Sequence, residues 1–272
     1  NFEEATNQWD ANDTLTGGNG TDTIQLIGDS QTIVDADFTN VTLLEKLITA
    51  NGANNLTLGT NADDSVLATV TGGTGADTID ASAFTAVLTI SSGAGNDVIT
   101  TQAGALNLSV VTGVGDDSIS VVGANLTTSD SIDGGADIDT ITLSADAATI
   151  IDADFTNVDN VEKLTTANGA NSVTIGTKAA DTGIATVTGG GGVDTIDASG
   201  FDAVLTISGG AGADVITTQS GSYDLSVLGG AGADNFNVTA TTFDSSDSIS
   251  GGTANDTITL TANSQTVVDR DF

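Results

Sequence analysis

The side chains best suited to chemistry in this chain are aspartates that follow glycine-rich turns. Turns of the pattern Gly-Gly-x-Gly-x-Asp, or close variants of it, occupy residues 72–77, 92–97 and 112–117, at equal intervals, and each ends in an aspartate. Because glycine permits positive φ angles, successive carbonyl groups of such a turn can face one point, and the aspartate adds a carboxylate. These are hard oxygen donors. Ca²⁺ accepts them in flexible geometry, whereas Mg²⁺ demands a stricter octahedron and keeps its waters.

Nine aligned versions of the turn supply the candidate metal ligands. A single hexapeptide of this kind would be interpreted as a plain glycine turn with a solvated aspartate, but nine at regular spacing favour bound calcium. Stacked once per coil along a single edge, the carboxylates would lie about 4.8 Å apart and repel one another unless a cation lay between them. The candidate ligands are Asp22, Asp77, Asp97, Asp117, Asp139, Asp194, Asp214, Asp234 and Asp256.

The segments between these turns are typical of short strands. The chain has 34 Gly, 0 Pro and abundant Thr, Val and Ile, and apolar residues alternate with polar ones. A unit of about 20 residues accommodates two strands and two turns, so the fold class predicted is all-β, a parallel β-solenoid similar to a β-roll, with about 20-residue coils. Its inward-facing residues are predicted to be Ile79, Leu88, Ile90, Ile99, Leu106, Leu108 and Ile119, with Ile196, Leu205, Ile207, Ile216, Tyr223, Leu225 and Phe236 in the second copy.

A longer repeat of 117 residues runs through the whole chain without insertion or deletion, so that Asp22, Asp139 and Asp256 are in register. Repetition of this kind is typical of solenoids, in which each unit buries its open face on the next. We therefore predict one continuous solenoid over residues 1–272, with a partial repeat at 1–16, repeats at 17–133 and 134–250, and a partial repeat at 251–272. Both ends fall inside a repeat unit, and we expect the array to continue beyond them.

The turns resemble the calcium-binding repeat of the RTX (hemolysin-type) family, a nonapeptide of the form Gly-Gly-x-Gly-x-Asp-x-apolar-x. The best matches are residues 72–80, 189–197, 209–217 and 229–237, followed by 17–25. The resemblance implies a β-roll and places the family's aspartate ligand on Asp22, Asp77, Asp97, Asp117, Asp194, Asp214 and Asp234. The chain departs from the family in having the turn at one end of each coil. In the turns of Asp139 and Asp256, Asp137 and Ala254 replace the third glycine.

The interval between the turns at 17–22 and 72–77 has no nonapeptide, and it is long enough for two coils or three. Asn54, like Asn171 in the second copy, stands where a turn would have its aspartate. An asparagine ladder that pairs amides between coils is favoured over a weak calcium site. Asp35 and Asp37, with their copies, are either solvated or a further cation site. The Glu45–Lys46 and Glu162–Lys163 pairs are interpreted as surface residues of little energetic weight.

Composition excludes several classes of function. Cys, His and Met are absent, which removes disulfides, cysteine metal sites and the commonest general base. The formal net charge of −33 disfavours nucleic acid and anionic membranes as partners, and no apolar run is long enough to insert into a membrane. A carboxylate repeated in identical surroundings is a poor catalyst, because catalysis needs one asymmetric site with a tuned pKa. The chain is not expected to be an enzyme.

Four non-catalytic functions remain. The favoured one is a calcium-stabilised structural region of a secreted bacterial cell-surface protein, such as a surface layer, a surface fibre or a matrix filament. The alternatives are the extender of a giant RTX adhesin, the calcium-folding export region of an RTX toxin or enzyme, and an ice-binding surface of threonines. The long repeat favours the first two, since a lattice or stalk gains length with each copy. Calcium, and neighbouring repeats or copies of the chain, are the partners expected, at an extracellular, cell-surface location.

Overall fold

The computed structural model describes residues 2–4, 9–104, 106–122, 126–239 and 245–261, and of residues 2–4 only the backbone. The chain forms two compact units. The first comprises Asn1–Asn125 and Ser129–Ile141, and the second comprises Leu126–Thr128 and Thr142–Phe272. In each unit, consecutive coils lie side by side through parallel strand pairs, which confirms the predicted parallel β-solenoid.

The first unit contains two principal sheets, one with the strand order β1-β3-β6-β8-β10-β12-β14 and one with the order β4-β7-β9-β11-β13. A short parallel pair, β2 with β5, adds a third face. The strands are β1 (Phe2–Glu4), β2 (Leu15–Thr16), β3 (Thr23–Leu26), β4 (Thr32–Ile33), β5 (Val41–Thr42), β6 (Lys46–Ile48), β7 (Asn55–Thr57), β8 (Thr69–Thr71), β9 (Thr78–Asp80), β10 (Thr89–Ala94), β11 (Val98–Thr100), β12 (Ser109–Val114), β13 (Ser118–Val121), β14 (Ser131–Ala136) and β15 (Thr140–Leu143), the last of which reaches the boundary between the units.

The second unit repeats this arrangement, with sheets of the order β18-β20-β22-β24-β26 and β16-β19-β21-β23-β25-β27. Its strands are β16 (Thr149–Ile150), β17 (Val158–Asp159), β18 (Lys163–Thr165), β19 (Ser172–Thr174), β20 (Thr186–Thr188), β21 (Thr195–Asp197), β22 (Thr206–Ala211), β23 (Val215–Thr217), β24 (Ser226–Ala231), β25 (Asn235–Val238), β26 (Ser248–Thr253) and β27 (Thr257–Leu260).

The core of each unit is narrow and consists of apolar side chains stacked in register. In the first unit, Ile79, Ile99 and Ile119 align in neighbouring strands and are buried. Each such side chain contributes about 1.5–3 kcal/mol through burial. The predicted inward positions are buried except Leu106 and Tyr223, which are half-buried. Both lie in turns outside the strands, where the alternation of a strand no longer sets the direction of a side chain.

Coil length varies with the kind of turn. Equivalent positions in neighbouring coils are 20 residues apart where the nonapeptides lie and 23 residues apart in the interval without them. Since β3 pairs with β6 and β6 pairs with β8, the interval that the sequence left open makes two coils. Their extra residues form short helices that the sequence did not predict: the 3-10 helices Asp35–Phe38 and Asp152–Phe155, α1 (Thr60–Asp64) and α2 (Thr177–Thr182).

The aspartates that begin the 3-10 helices cap α1 and α2 from the preceding coil. Asp35 accepts hydrogen bonds from the backbone N–H groups of Gly59, Asn61 and Ala62 at 2.8, 3.2 and 3.0 Å. Asp152 accepts the equivalent bonds from Gly176, Lys178 and Ala179. The first N–H groups of a helix have no acceptor within the helix, and here the carboxylate provides one for three of them.

The hypothesis of a further cation site at these acidic pairs is therefore wrong for Asp35 and Asp152. Their partners Asp37 and Asp154 accept the N–H of Val34 and of Ile151, both at 2.9 Å, and so close the 3-10 turn instead of facing a common point. The third copies, Asp269 and Asp271, lie outside the described residues.

Replacing Asp152 is expected to destabilise the second unit. Asp152→Ala leaves three N–H groups without an acceptor, and we expect a loss of about 1–3 kcal/mol in the free energy of unfolding. The matched control is Asp181→Ala, because Asp181 is in α2 but 74% exposed and makes only a 3.9 Å ion pair with Lys178, so its loss should cost under about 1 kcal/mol. Urea unfolding of both variants measures the difference, and equal losses would contradict the capping role.

Candidate calcium-binding turns

The candidate aspartates of the first unit form a continuous ladder along one edge. The carboxylate Oδ1 of each aspartate accepts the backbone N–H of the residue at the same place in the preceding coil. Asp77 donates to Asp97 and Asp97 to Asp117 at 2.7 Å, and Asp117 donates to Asp139 at 2.8 Å. All four side chains are buried, so the spacing of 20 to 22 residues places carboxylates directly above one another, as predicted.

The second unit has a ladder of the same geometry. Asp194 donates to Asp214 at 2.8 Å, Asp214 to Asp234 at 2.9 Å, and Asp234 to Asp256 at 2.9 Å. The backbone N–H of Asn171 in turn donates to Asp194 at 2.8 Å. The two aspartates in turns without a third glycine, Asp139 and Asp256, thus join their ladders.

Those two turns keep the backbone that glycine would favour. Asp137 and Ala254 both have a φ of +84°, within the left-handed region that other residues adopt at a cost. At the corresponding place in the coil before Asp139, Gly115 has a φ of +131°. The turn conformation is therefore imposed by stacking on the neighbouring coil, and it does not depend on glycine alone.

Glycine at the start of a turn allows the carboxylate to fold back against the backbone. A Cβ atom on Gly72 would lie 2.7 Å from Oδ2 of Asp77 and 1.9 Å from the carbonyl oxygen of Ser92 in the next coil. Gly209 is placed in the same way, with a Cβ 2.4 Å from Oδ2 of Asp214. Glycine relieves this close approach at Gly72 and Gly209. It is not required in every turn, because Ser92 and Thr112 occupy the same place in the turns of Asp97 and Asp117 and are buried there.

The second oxygen of several candidate aspartates, four of them in the ladders, is buried without a hydrogen-bond partner. This is true of Oδ2 in Asp22, Asp97, Asp117, Asp214 and Asp234. A buried carboxylate oxygen with no donor is costly, and several at successive coils repel one another as well. A divalent cation removes both penalties, so the residues present fit calcium. Among the described residues, no group of three acidic side chains could hold a metal alone, so turn carbonyls would have to complete the coordination.

Electrostatics of the ladders favour a cation beside them. Burial, with a smaller contribution from the carboxylates of Asp117 and Asp77, raises the pKa of Asp97 from its ordinary 3.8 to about 6. Burial likewise raises the pKa of Asp117 and of Asp214, with neighbouring carboxylates contributing in both cases. The nearby hydroxyl of Ser92 and the backbone N–H of Asp77 lower the pKa of Asp97 in part, and the N–H of Asp97 with the hydroxyl of Thr112 does the same for Asp117. These two hydroxyls donate to the carbonyl oxygens of Thr112 and Gly134 in the next coil, at 3.1 and 2.7 Å, and leave Oδ2 of both aspartates without a hydrogen bond. A cation next to these oxygens would hold them ionised.

Asp22 occupies a different edge of the first unit from the ladder through Asp77. It precedes β3, whose partner is β6, and its backbone N–H donates to Oε2 of Glu45 at 2.8 Å. Glu45 thus stands where a ladder would have its next aspartate, so the interpretation of this glutamate as a surface residue of little weight is wrong. The turn at Asp22 is otherwise like the others, with a Cβ on Gly17 lying 2.9 Å from its Oδ2.

Two further aspartates at the other end of the coils, Asp130 (buried) and Asp247 (half-buried), were missed by the motif. Oδ1 of Asp130 accepts the backbone N–H of Leu108 at 2.7 Å, and Asp247 accepts that of Leu225 at 2.8 Å. These bonds have the ladder geometry, but the turns before them lack the glycine pattern. The available signal was their common place in the 117-residue repeat.

The comparisons with known proteins agree with this geometry. The family model of the RTX calcium-binding nonapeptide repeat (4 copies) matches residues 10–25, 69–83, 89–105, 206–223 and 241–262. The chain carries RTX calcium-binding repeats. Each matched RTX range contains one candidate aspartate, namely Asp22, Asp77, Asp97, Asp214 and Asp256 in turn. No curated protein and no solved structure matches the chain. In the described part of the chain, no helix is long and apolar enough to cross a membrane.

The raised pKa values predict opposite effects of acid on the calcium-free and calcium-loaded RTX repeats. Without calcium, the folded state binds a proton at Asp97 more tightly than the unfolded state does. Stability should therefore rise as the pH falls through the interval from about 6 to 3.8. With calcium, protons compete for the same oxygens, and stability should fall over that interval. Thermal unfolding at several pH values in calcium-stripped and calcium-containing buffer measures both slopes. Slopes of the same sign would contradict the assignment.

Proposed function

We propose that this chain is a non-catalytic structural region, folded by calcium, of a secreted bacterial cell-surface protein such as a surface layer, surface fibre or matrix filament. One observation carries the proposal: both units contain a ladder of buried aspartates, and Asp97, Asp117, Asp214 and Asp234 each retain an oxygen without a donor. A ladder of this kind needs a cation in order to be stable, which makes folding itself the event that calcium controls.

A secreted location is supported by the chemistry of these sites. Proteins with RTX repeats are generally secreted. Sites of extracellular calcium modules bind with dissociation constants of about 10⁻⁴–10⁻³ M, so they would be empty in a cytosol and filled outside the cell. The net charge of −33 would then keep the chain extended during export and would be partly neutralised by calcium on arrival.

A structural role is supported by the regularity of the environment. Each ladder aspartate accepts a backbone N–H from the preceding coil in the same way, and translational repetition does not create the single asymmetric pocket that catalysis needs. The outward row through β7, β9, β11 and β13 reads Asn55, Thr78, Val98 and Ser118. Because ice binding would need threonine at this place in every coil, the row does not favour that function. We also propose that residues 1–272 form one continuous solenoid, since no linker interrupts the repeat at 131–139.

The first experiment is a calcium titration followed by circular dichroism and by calorimetry. We expect cooperative folding with a midpoint of about 10⁻⁴–10⁻³ M calcium. The double variant Asp97→Ala/Asp117→Ala should bind fewer calcium ions than the native chain. Asp64→Ala and Asp202→Ala, which remove exposed carboxylates, should bind the native number. Equal binding by all of these proteins would overturn the assignment of the turns.

The second experiment concerns location. Antibodies raised against this region should label intact cells of the native source, and external protease should remove the label. Labelling only after lysis, or hydrolytic or transferase activity in the purified region, would overturn the proposal. Limited proteolysis of the calcium-loaded chain tests the continuous solenoid, since rapid cleavage at 131–139 would indicate a linker there.

A further inference from the structure

Each ladder begins with an asparagine in place of the first aspartate. Asn54 precedes Asp77, and Asn171 precedes Asp194, and the two asparagine side chains are 2% and 3% exposed. Their Oδ1 atoms accept the backbone N–H of Gln31 at 2.9 Å and of Ala148 at 3.1 Å, so both residues occupy true ladder positions. The predicted asparagine ladder is therefore wrong in one respect: the neighbour in the next coil is an aspartate.

The amide nitrogen of Asn54 is surrounded by oxygen atoms. Nδ2 lies 2.9 Å from the carbonyl oxygen of Ala50, 2.7 Å from that of Gly52 and 2.9 Å from Oδ1 of Asp77. Two of these oxygens belong to its own turn and the third to the next coil. An amide has two protons for these three acceptors, so the nitrogen sits among oxygens as a small cation would.

The second unit repeats this arrangement independently. Nδ2 of Asn171 lies 2.9 Å from the carbonyl oxygen of Ala167, 2.6 Å from that of Gly169 and 2.9 Å from Oδ1 of Asp194. It also lies 3.3 Å from the hydroxyl oxygen of Thr166. Residues 50–54 and 167–171 have the same sequence, ANGAN, and make the same contacts, so the arrangement is a feature of the repeat.

The aspartate that follows each asparagine has donors for both of its carboxylate oxygens: the asparagine at Oδ1 and a glycine of its own turn at Oδ2. Oδ1 of Asp77 accepts both the backbone N–H and the amide of Asn54, and its Oδ2 faces the N–H of Gly73 at 3.4 Å. In the second unit, Oδ2 of Asp194 accepts the N–H of Gly190 at 3.2 Å. The next aspartates, Asp97 and Asp214, have no donor for Oδ2. The first aspartate of each ladder is thus satisfied by the chain itself, and the later ones are not.

We propose that Asn54–Asp77 and Asn171–Asp194 are metal-free starting pairs on which the calcium-dependent coils assemble. In each pair the asparagine amide takes the place that calcium takes in the later turns, so that the demand for calcium begins at Asp97 and at Asp214. The claim that the demand for calcium begins at Asp97 and at Asp214 rests on the proposed calcium function. The claim that the starting pairs are folded without metal does not.

Hydrogen exchange of the native chain in calcium-stripped buffer tests whether the starting pairs are folded without metal. We expect the amides of residues 54–58 and 77–80 to exchange several-fold more slowly than those of residues 97–100 and 117–121, and the same contrast between residues 171–174 and 214–217. On adding calcium, the later coils should become protected. Uniformly fast exchange of all these segments without calcium would overturn the starting pairs, even if calcium protects the whole chain afterwards.

Reciprocal substitutions test whether the asparagine amide takes the place of a calcium ion. Asn54→Asp places a carboxylate among three oxygens, so it should add one calcium ion per chain by calorimetry and lower the melting temperature in calcium-stripped buffer. Asp97→Asn should remove one calcium ion and raise that melting temperature. The control is Asn51→Asp, which adds the same charge to the same turn at an exposed position and should leave the stoichiometry unchanged.

The outcomes separate this inference from the proposed function. Unchanged calcium stoichiometry in both Asn54→Asp and Asp97→Asn, in a native chain that does bind calcium, would overturn the amide as a substitute for the ion. If the native chain bound no calcium at all, the proposed function would fail, and hydrogen exchange alone would decide whether the starting pairs are ordered. Should Asn54→Asp fail to fold, Asp97→Asn still provides the stoichiometry.

Discussion

Removal of calcium is expected to unfold the coils that contain the aspartate ladders. The chain would regain a column of buried carboxylates in which Asp97, Asp117, Asp214 and Asp234 each have an oxygen with no donor. Each site filled at 100 times its dissociation constant stabilises the folded state by about 2.7 kcal/mol, and the ladders contain several such sites. The combined stabilisation from several filled sites is comparable to the roughly 5–15 kcal/mol of a typical domain's free energy of unfolding. The narrow apolar core is therefore not expected to compensate for the loss of calcium.

Circular dichroism during heating, with and without a calcium chelator, measures the effect. We expect the cooperative transition to move down by more than about 10 °C or to disappear, and to return on adding excess calcium. Magnesium at the same concentration is the control, and it should restore little, because it resists coordination by turn carbonyls in irregular geometry. An unchanged melting temperature in chelator would contradict a structural role for the ion.

Substitution of a glycine between stacked turns is expected to be the most damaging single change. Gly113 has a φ of +107°, and a Cβ atom there would lie 1.9 Å from the carbonyl oxygen of Gly93 in the preceding coil. Gly113→Ala therefore combines backbone strain of about 1–2 kcal/mol with a clash against main chain that cannot move without shifting a whole coil. We expect a total loss of about 3 kcal/mol or more, and weaker calcium binding at the turns on either side.

The chain offers a close control for this prediction. Gly104 has a φ of +108°, but a Cβ atom on it would meet nothing within 4 Å. Gly104→Ala therefore introduces the same backbone strain without the clash, and should cost only about 1–2 kcal/mol. Urea unfolding in calcium-containing buffer compares the two variants. Equal losses would show that left-handed strain, and not stacking, is the reason for glycine in these turns.

Stacking also explains why the ladders tolerate some sequence variation. Asp137 and Ala254 replace glycine at a φ of +84°, yet Asp139 and Asp256 still accept the N–H of the preceding aspartate at 2.8 and 2.9 Å. The neighbouring coil holds such a turn in place, and the cost is strain of about 1–2 kcal/mol. The same stacking makes Gly113 indispensable, because its backbone lies too close to the neighbouring coil for any side chain.

The sequence by itself determined the parallel solenoid, the buried alternation of its strands and the ladders from Asp77 and from Asp194. The physical reason is regular spacing: with successive aspartates 20 to 22 residues apart, equal positions in neighbouring coils must lie above one another. The nonapeptide then identified the residues that a cation would need. Regular spacing does not show at which edge of the solenoid a turn lies. The sequence therefore grouped Asp22 with the aspartates of the ladder through Asp77, although the structure places Asp22 at a different edge.

Only the tertiary structure decided which partners meet across coils of irregular length. Asp35 caps a helix 24 to 27 residues later, Glu45 receives the N–H of Asp22, and the amide of Asn54 faces Asp77. Each contact joins residues in different coils of the longer kind, where extra residues form short helices and shift the register of side chains. No local pattern encodes these pairs, because their geometry depends on how far each coil is displaced from its neighbour. The proposed division between turns that need calcium and turns that do not therefore rests on contacts that form only when the coils are stacked.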